Sequence, residues 1–181
     1  MYKGKILISN YTLVNDLEFN KAVILIVKND NEGTIGFILN KKSNYLLSDL
    51  NFGSKELNIP IYKGGPVMMD TLHFIHKKTK LFQKSIKITN EIFWGNEFEK
   101  AIELVRDKKI NPKEIKFFIG YSGWDDTQLE NEVDEKSWLI TETYSVKEIF
   151  DFEKLLWKNN LEKFGDYYKL WSNSPENPNY N

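Results

Sequence analysis

Ala22-Val-Ile-Leu-Ile-Val27, Asn29-Asp-Asn-Glu-Gly33 and Thr34-Ile-Gly-Phe-Ile-Leu39 follow one another almost without interruption. The outer two are continuously apolar and rich in β-branched residues, the composition of strands covered on both faces. The Asn, Asp and Gly residues between them have hairpin chemistry. Parallel neighbours would need a crossover of roughly a dozen residues or more, so an antiparallel pair this early argues against a uniformly wound parallel sheet.

Outward from the hairpin, short apolar runs bounded by Gly, Pro, Asn or Lys give further strand candidates: Ile6 to Ser9, Ile59 to Tyr62, Leu72 to Ile75, Ile86 to Ile88, Ile115 to Ile119 and Trp138 to Thr141. A polar connection from Asn10 to about Glu18 separates the first of these from the hairpin. The clearest helix is capped by Asn96, with Glu99 completing a capping box and Phe98, Ala101, Ile102 and Val105 forming one apolar face; it should end near Lys108. A second spans about Asp126 to Asp134 and buries Leu129 and Val133. A third is started by Ser145 and Glu148, and a fourth follows Asp151, with Phe152, Leu155 and Leu156 inward and Gly165 as its stop. From about residue 166 the Pro- and Asn-rich sequence predicts an irregular tail. The expected fold is α+β: one domain over 1–181, with a mixed, largely antiparallel sheet packed with about four helices.

Composition agrees with one core. A chain of 181 residues with 41% apolar and 14% aromatic residues can bury a substantial interior, and 28% charged residues solvate its surface. The 25 Lys and Arg nearly cancel the 26 Asp and Glu, so no overall field draws the protein to phosphate backbones or anionic membranes. The Lys pairs at 41/42, 77/78 and 108/109 lie scattered among acids and read as solvated surface, not as a nucleic-acid stripe. Without cysteine there is no disulfide, thiolate metal site or thiol nucleophile. No apolar run approaches the roughly 20 residues of a membrane helix, and the first residues lack a signal-peptide pattern, so the cytoplasm is the expected location.

Motifs that could carry chemistry fail on detail. Gly120-Tyr-Ser-Gly-Trp124 stands between a predicted strand and helix, the context of a hydrolase nucleophile elbow, but the glycine required two places after Ser122 is Trp124. Both histidines also precede the serine. His73 and His76 are three apart, which sends them to opposite faces of a strand and prevents joint metal binding; we expect one exposed imidazole and one partly buried. Gly64-Gly65-Pro66 lacks the Lys-Ser or Lys-Thr of a P-loop. No cofactor or metal is expected. An enzyme using carboxylates such as Asp16 or Glu132 has no motif behind it.

Taken in chain order, Gly4-Lys-Ile-Leu-Ile-Ser9, Gly33-Thr-Ile-Gly-Phe-Ile-Leu-Asn40, Tyr62-Lys-Gly-Gly-Pro-Val67, Leu72-His-Phe-Ile-His76 and Gly120-Tyr-Ser-Gly-Trp124 resemble the bacterial YqgE/AlgH family. Gln128-Leu-Glu, Trp138-Leu and a terminal Pro178-x-x-Asn181 extend the likeness over nearly the whole chain. The chain departs from the pattern at Lys42, where the family tends to have Pro, at Ser122, where it often has Ala, and at Asp125-Asp126, which replace a commoner Gly-Pro. The resemblance implies a compact α+β fold in the bacterial cytoplasm and no catalytic residues. It also implies that Ser122 is not there as a nucleophile. The label of transcriptional regulator attached to some relatives describes a phenotype, not contact with DNA.

The functional expectation is a non-enzymatic module that binds a small ligand or another protein, with any regulatory role indirect. A direct DNA-binding regulator is the alternative, which near-neutral charge and the lack of a recognisable helix-turn-helix count against. If the glycine-bearing turns Gly64-Gly65-Pro66 and Gly120 to Gly123 are neighbours at one end of the sheet, they frame a cleft. Tyr121 and Trp124 would be its apolar walls and Asn40, His76 or Gln128 its polar contacts. The competing reading is that the glycines merely allow tight turns while the aromatics fill the core.

Overall fold

The hairpin is present, and its burial explains its composition. In the computed structural model, which describes residues 1–50, 56–151 and 155–174, Val23–Asp30 (β2) and Gly33–Ile38 (β3) pair antiparallel, with Asp30 opposite Gly33. Val23, Leu25 and Val27 enter one apolar cluster while Ala22, Ile24 and Ile26 enter another on the opposite face. A strand with a core on either side has no solvent face on which to alternate polar residues, hence the unbroken apolar run.

The remaining strands are Ile6–Ser9 (β1), Lys42–Leu46 (β4), Pro60–Lys63 (β5), Val67–Lys77 (β6), Ile86–Lys87 (β7), Ile92–Gly95 (β8), Ile115–Trp124 (β9) and Trp138–Thr141 (β10). They form a mixed, largely antiparallel, curled sheet of order β10-β1-β2-β3-β9-β6-β8-β7, with β5 joined to β9 and β4 to β5. β5 against β9 is parallel and the other pairings are antiparallel. The fold is α+β, as expected.

Helices cover the sheet in three places. Phe98–Arg106 (α1) lays Ala101, Ile102 and Val105 on a cluster containing Phe74 and Phe117. Gln128–Asp134 (α2) contributes Leu129 beside Trp124 and Trp138. Val146–Phe150 (α3) and Leu156–Glu162 (α4) add Ile149, Phe150, Leu156, Trp157 and Leu161 to the cluster lined by Val23, Leu25 and Phe118. Ser145 caps α3 by accepting from the Glu148 amide, at 3.2 Å.

Several sequence expectations require correction. The tail is not irregular from 166: Gly165, at φ 111°, ends one helix and the chain re-enters another, Asp166–Ser172 (α5). α5 is held by Tyr11 stacked on Trp171 at 4.8 Å and by Ser172 donating to Glu162 at 2.7 Å. Such long-range contacts override weak local propensity; residues 175–181 lie outside the described structure. Leu155 is exposed, not inward, and Phe152 lies outside the described residues. Asn96 does not cap α1; the cap position is Glu97, whose carboxylate pairs with Lys100 at 3.1 Å. β4 and β8 are not among the expected strands; β4 has no buried residue and so no apolar run to mark it.

The largest correction concerns Gly120-Tyr-Ser-Gly-Trp124, which is strand, not turn. Gly120 adopts φ +65° and bulges β9. Before it, Phe118 faces the α3/α4 cluster and Phe117 the α1 cluster. After it, Tyr121 joins the face of Phe118, and Trp124 points to the α2 side. One bulge thus shifts the two-residue alternation and lets β9 exchange partners, from β5 and β6 at Phe117 to β3 at Ser122–Trp124.

Candidate functional site

The two glycine segments meet. The Gly64 amide donates to the Ile119 carbonyl at 2.8 Å, and the Gly64 carbonyl accepts from the Ile38 amide and the Ser122 hydroxyl, each at 3.0 Å. A Cβ on Gly64 would stand 2.1 Å from the Gly120 carbonyl oxygen, and one on Gly65, at φ +152°, 2.4 Å from the Ser122 nitrogen. The glycines are thus required by the contact of one backbone with another. Ser122 is fully buried with its proton committed to a main-chain carbonyl, which gives it a structural role in place of a nucleophilic one.

Around this junction Pro66 and Gly123 are exposed and Tyr121 is half-buried. The other expected residues turn away. Asn40 clips β3 to β2, its carbonyl accepting from Val23 N at 2.9 Å and its amide donating to Lys21 O at 2.8 Å. Trp124 is buried and donates its indole N–H to Glu132. Gln128 is exposed, bonded to Asp125 N and to Glu132. His76 is buried among Phe74, Phe82 and Phe93 at the other end of β6. Its Nδ1–H can only donate to the Lys77 carbonyl, at 2.7 Å, leaving Nε2 to accept from the Ser85 hydroxyl. It is a satisfied core histidine, and burial holds its pKa below the ordinary value.

The histidine that does lie at the junction is His73. It is half-buried, not exposed, and as β-strand parity requires it lies on the opposite face from His76. Its ring centroid is 5.3 Å from Phe37, 5.9 Å from Trp94 and 6.0 Å from Tyr121. Burial pushes its pKa down. The Tyr121 hydroxyl reaches Met68 Sδ at 3.7 Å, and Met68 is exposed. Met68 sits at φ +47°, in a bulge of β6 between Val67 and Leu72. Strand parity could have placed His73 beside Phe118, its register partner. The bulge that brings Tyr121 to the same side left no signature that periodicity could detect.

Other candidates serve structure. Asp16 accepts from the amides of Glu18 and Phe19, at 2.8 and 2.6 Å, and Glu132 accepts from two indoles. No group of three or more His, Cys, Asp or Glu among the described residues could hold a metal. With cysteine absent from the sequence, this argues against a thiol- or metal-based active site. Among the described residues no helix is long and apolar enough to cross a membrane. A cavity of about 540 Å³ lies near the opposite end of β9, between Leu57–Ile59 and Val105–Pro112. Lys116, on β9, is nearly fully buried, its ammonium 4.4 Å from the Tyr62 ring centre and 3.2 Å from the Leu39 carbonyl. Burial pushes its pKa down to about 7, with Lys42 lowering it further and Asp151 opposing.

Comparison with known proteins agrees with this architecture. Residues 6–169 match the AlgH-like family model. A UPF0301 protein of Chlorobium limicola is 34% identical over 178 residues, covering 98% of this chain and 95% of the relative. One from Bacteroides thetaiotaomicron is 33% identical over 180 residues, covering 99% and 91%. The chain belongs to the AlgH-like (UPF0301) family. A crystal structure from Corynebacterium diphtheriae superimposes with a TM-score of 0.77 at 16% identity, covering 96% of this chain and 93% of that one. The solution structure of AlgH from Pseudomonas aeruginosa gives 0.72 at 19%, covering 97% and 95%. At those identities the likeness is one of fold.

Proposed function

We propose that the protein is a non-enzymatic binding module whose site is the surface beside the Gly64–Gly65 and Gly120–Ser122 junction, and that it holds a small molecule there. The observation that carries this reading is the pairing of a rigid, hydrogen-bonded backbone with side chains that the core leaves partly open: Tyr121, His73, Pro66 and Met68. Sites for small molecules combine aromatic walls with few polar groups on a fixed frame. A formal net charge of −1 favours this over a nucleic-acid partner, so any influence on gene expression would be indirect.

Native mass spectrometry of the protein purified from its own host tests the reading. A stoichiometric small molecule retained on the folded chain supports it. A chain that carries none, and that instead shifts duplex DNA with affinity falling steeply as salt rises, overturns it.

A further inference from the structure

The Thr71 hydroxyl fixes the tautomer of His73. Thr71 Oγ1 lies 2.8 Å from the Met68 carbonyl oxygen, which can only accept, so the single hydroxyl proton points there. The same oxygen lies 3.0 Å from His73 Nε2 and must therefore accept from it. His73 carries its proton on Nε2, and Nδ1 is a bare lone pair with no hydrogen-bond partner among the described residues. Because burial lowers the imidazole's pKa, the ring stays neutral and Nδ1 stays an acceptor at physiological pH.

That acceptor belongs to a ring set among Phe37, Trp94 and Tyr121. Phe37 is fully buried and forms the floor, whereas Trp94 and Tyr121 are only half-buried. Exposed Met68 stands beside Tyr121, a flexible thioether of the kind that adapts to flat aromatic surfaces. An acceptor nitrogen among aromatic faces, with no cation or donor beside it in the described residues, does not suit an anion. It matches a planar ring that brings its own donor.

We propose that His73 Nδ1, with Trp94 and Tyr121, forms a binding site for a planar aromatic or heteroaromatic small molecule bearing an N–H or O–H donor. The ligand's face lies against the open rings and its donor ends on Nδ1. Thr71 is a positioning residue that holds the imidazole in the accepting tautomer. This deepens the binding-module reading and rests on it.

Indole and 1-methylindole are suitable probes, since they share a ring system and differ in the donor. Titration of the full chain, followed by NMR shifts of His73 and Tyr121, should show indole binding about tenfold or more tighter than 1-methylindole. His73→Phe keeps a ring in the aromatic set and removes the acceptor, so it should bring indole down to the level of 1-methylindole. Nitrogen-15 spectra of the wild type should show Nδ1 unprotonated, a readout that needs no variant to fold. Equal binding of both probes, no binding of either at millimolar concentration, or a protonated Nδ1 near neutral pH overturns the proposal. A host ligand retained equally by wild type and His73→Phe would overturn this site while leaving the binding-module reading intact.

Discussion

Trp124 and Trp138 donate their indole N–H groups to the same oxygen, Glu132 Oε2, at 2.9 and 2.7 Å, with the two rings 6.0 Å apart and nearly perpendicular. Trp124 ends β9, Trp138 begins β10, and Glu132 is on the intervening helix α2, so one carboxylate fastens a helix to two strands. The second oxygen of Glu132 accepts from Gln128 at 2.8 Å, which orients it.

Glu132→Leu should leave both buried indole N–H groups unpaired, costing about 1–3 kcal/mol for each. Glu132→Gln keeps an acceptor oxygen and should cost markedly less. Urea denaturation of both variants checks this. Equal losses would show that the two indoles do not depend on the shared acceptor.

Trp124 is 5% exposed, so Trp124→Ala should destabilise by about 3–5 kcal/mol and lower the melting temperature accordingly. Trp124→Phe restores most of the packing but not the hydrogen bond, and should fall between. A melting temperature like that of the wild type for the alanine variant would place the indole outside the core.

Gly65→Val should impair folding itself, because its Cβ would lie 2.4 Å from backbone atoms of Ser122 and Tyr121. That variant therefore cannot separate ligand loss from unfolding. Gly123→Ala is the control: the nearest atoms to its Cβ would be side-chain atoms of Tyr121 and Val67, at 3.3 Å and beyond, so it should fold normally. Thermal melts distinguish them, and a stable Gly65→Val protein would contradict the backbone contact described here.

Lys116 should make stability depend on pH in the alkaline range. Its pKa falls from 10.5 to about 7 in the folded chain. Between those values the unfolded chain holds a proton that the folded chain has released, so stability rises with pH across the window. Below about pH 7 both states are protonated and the penalty of burying the ammonium is fully present. Lys116→Met should lose this dependence. Measured by urea denaturation, the wild type should gain on the order of a few kcal/mol relative to the variant between about pH 7 and 10. Parallel pH profiles would mean that the amine is solvated.

The parts of this fold that were legible in the sequence are those whose signal is local. Ala22–Val27 declares a doubly covered strand, and Ser145 with Glu148 marks the start of α3. The site was harder to read because its assembly is not local. Nothing in Gly120-Tyr-Ser-Gly-Trp124 announces that one residue in a left-handed conformation will keep the segment in a strand and turn Tyr121 toward His73. The motif pointed to the segment that meets Gly64 and Gly65, but it reads as a turn, whereas in the strand Tyr121 and Trp124 go to opposite faces. His76 and Asn40 were chosen for their chemistry, but burial and backbone partners had already claimed both.

β9 belongs to both parts of the sheet, zipped to β5 and β6 through its first half and to β3 through its second. Phe117, Phe118 and Trp124 each enter a different apolar cluster, so this one strand has side chains in all three. Withdrawing it would open every core at once, which denies the molecule any sub-global unfolding that involves β9. The strand that carries Tyr121 is released only when the whole chain lets go.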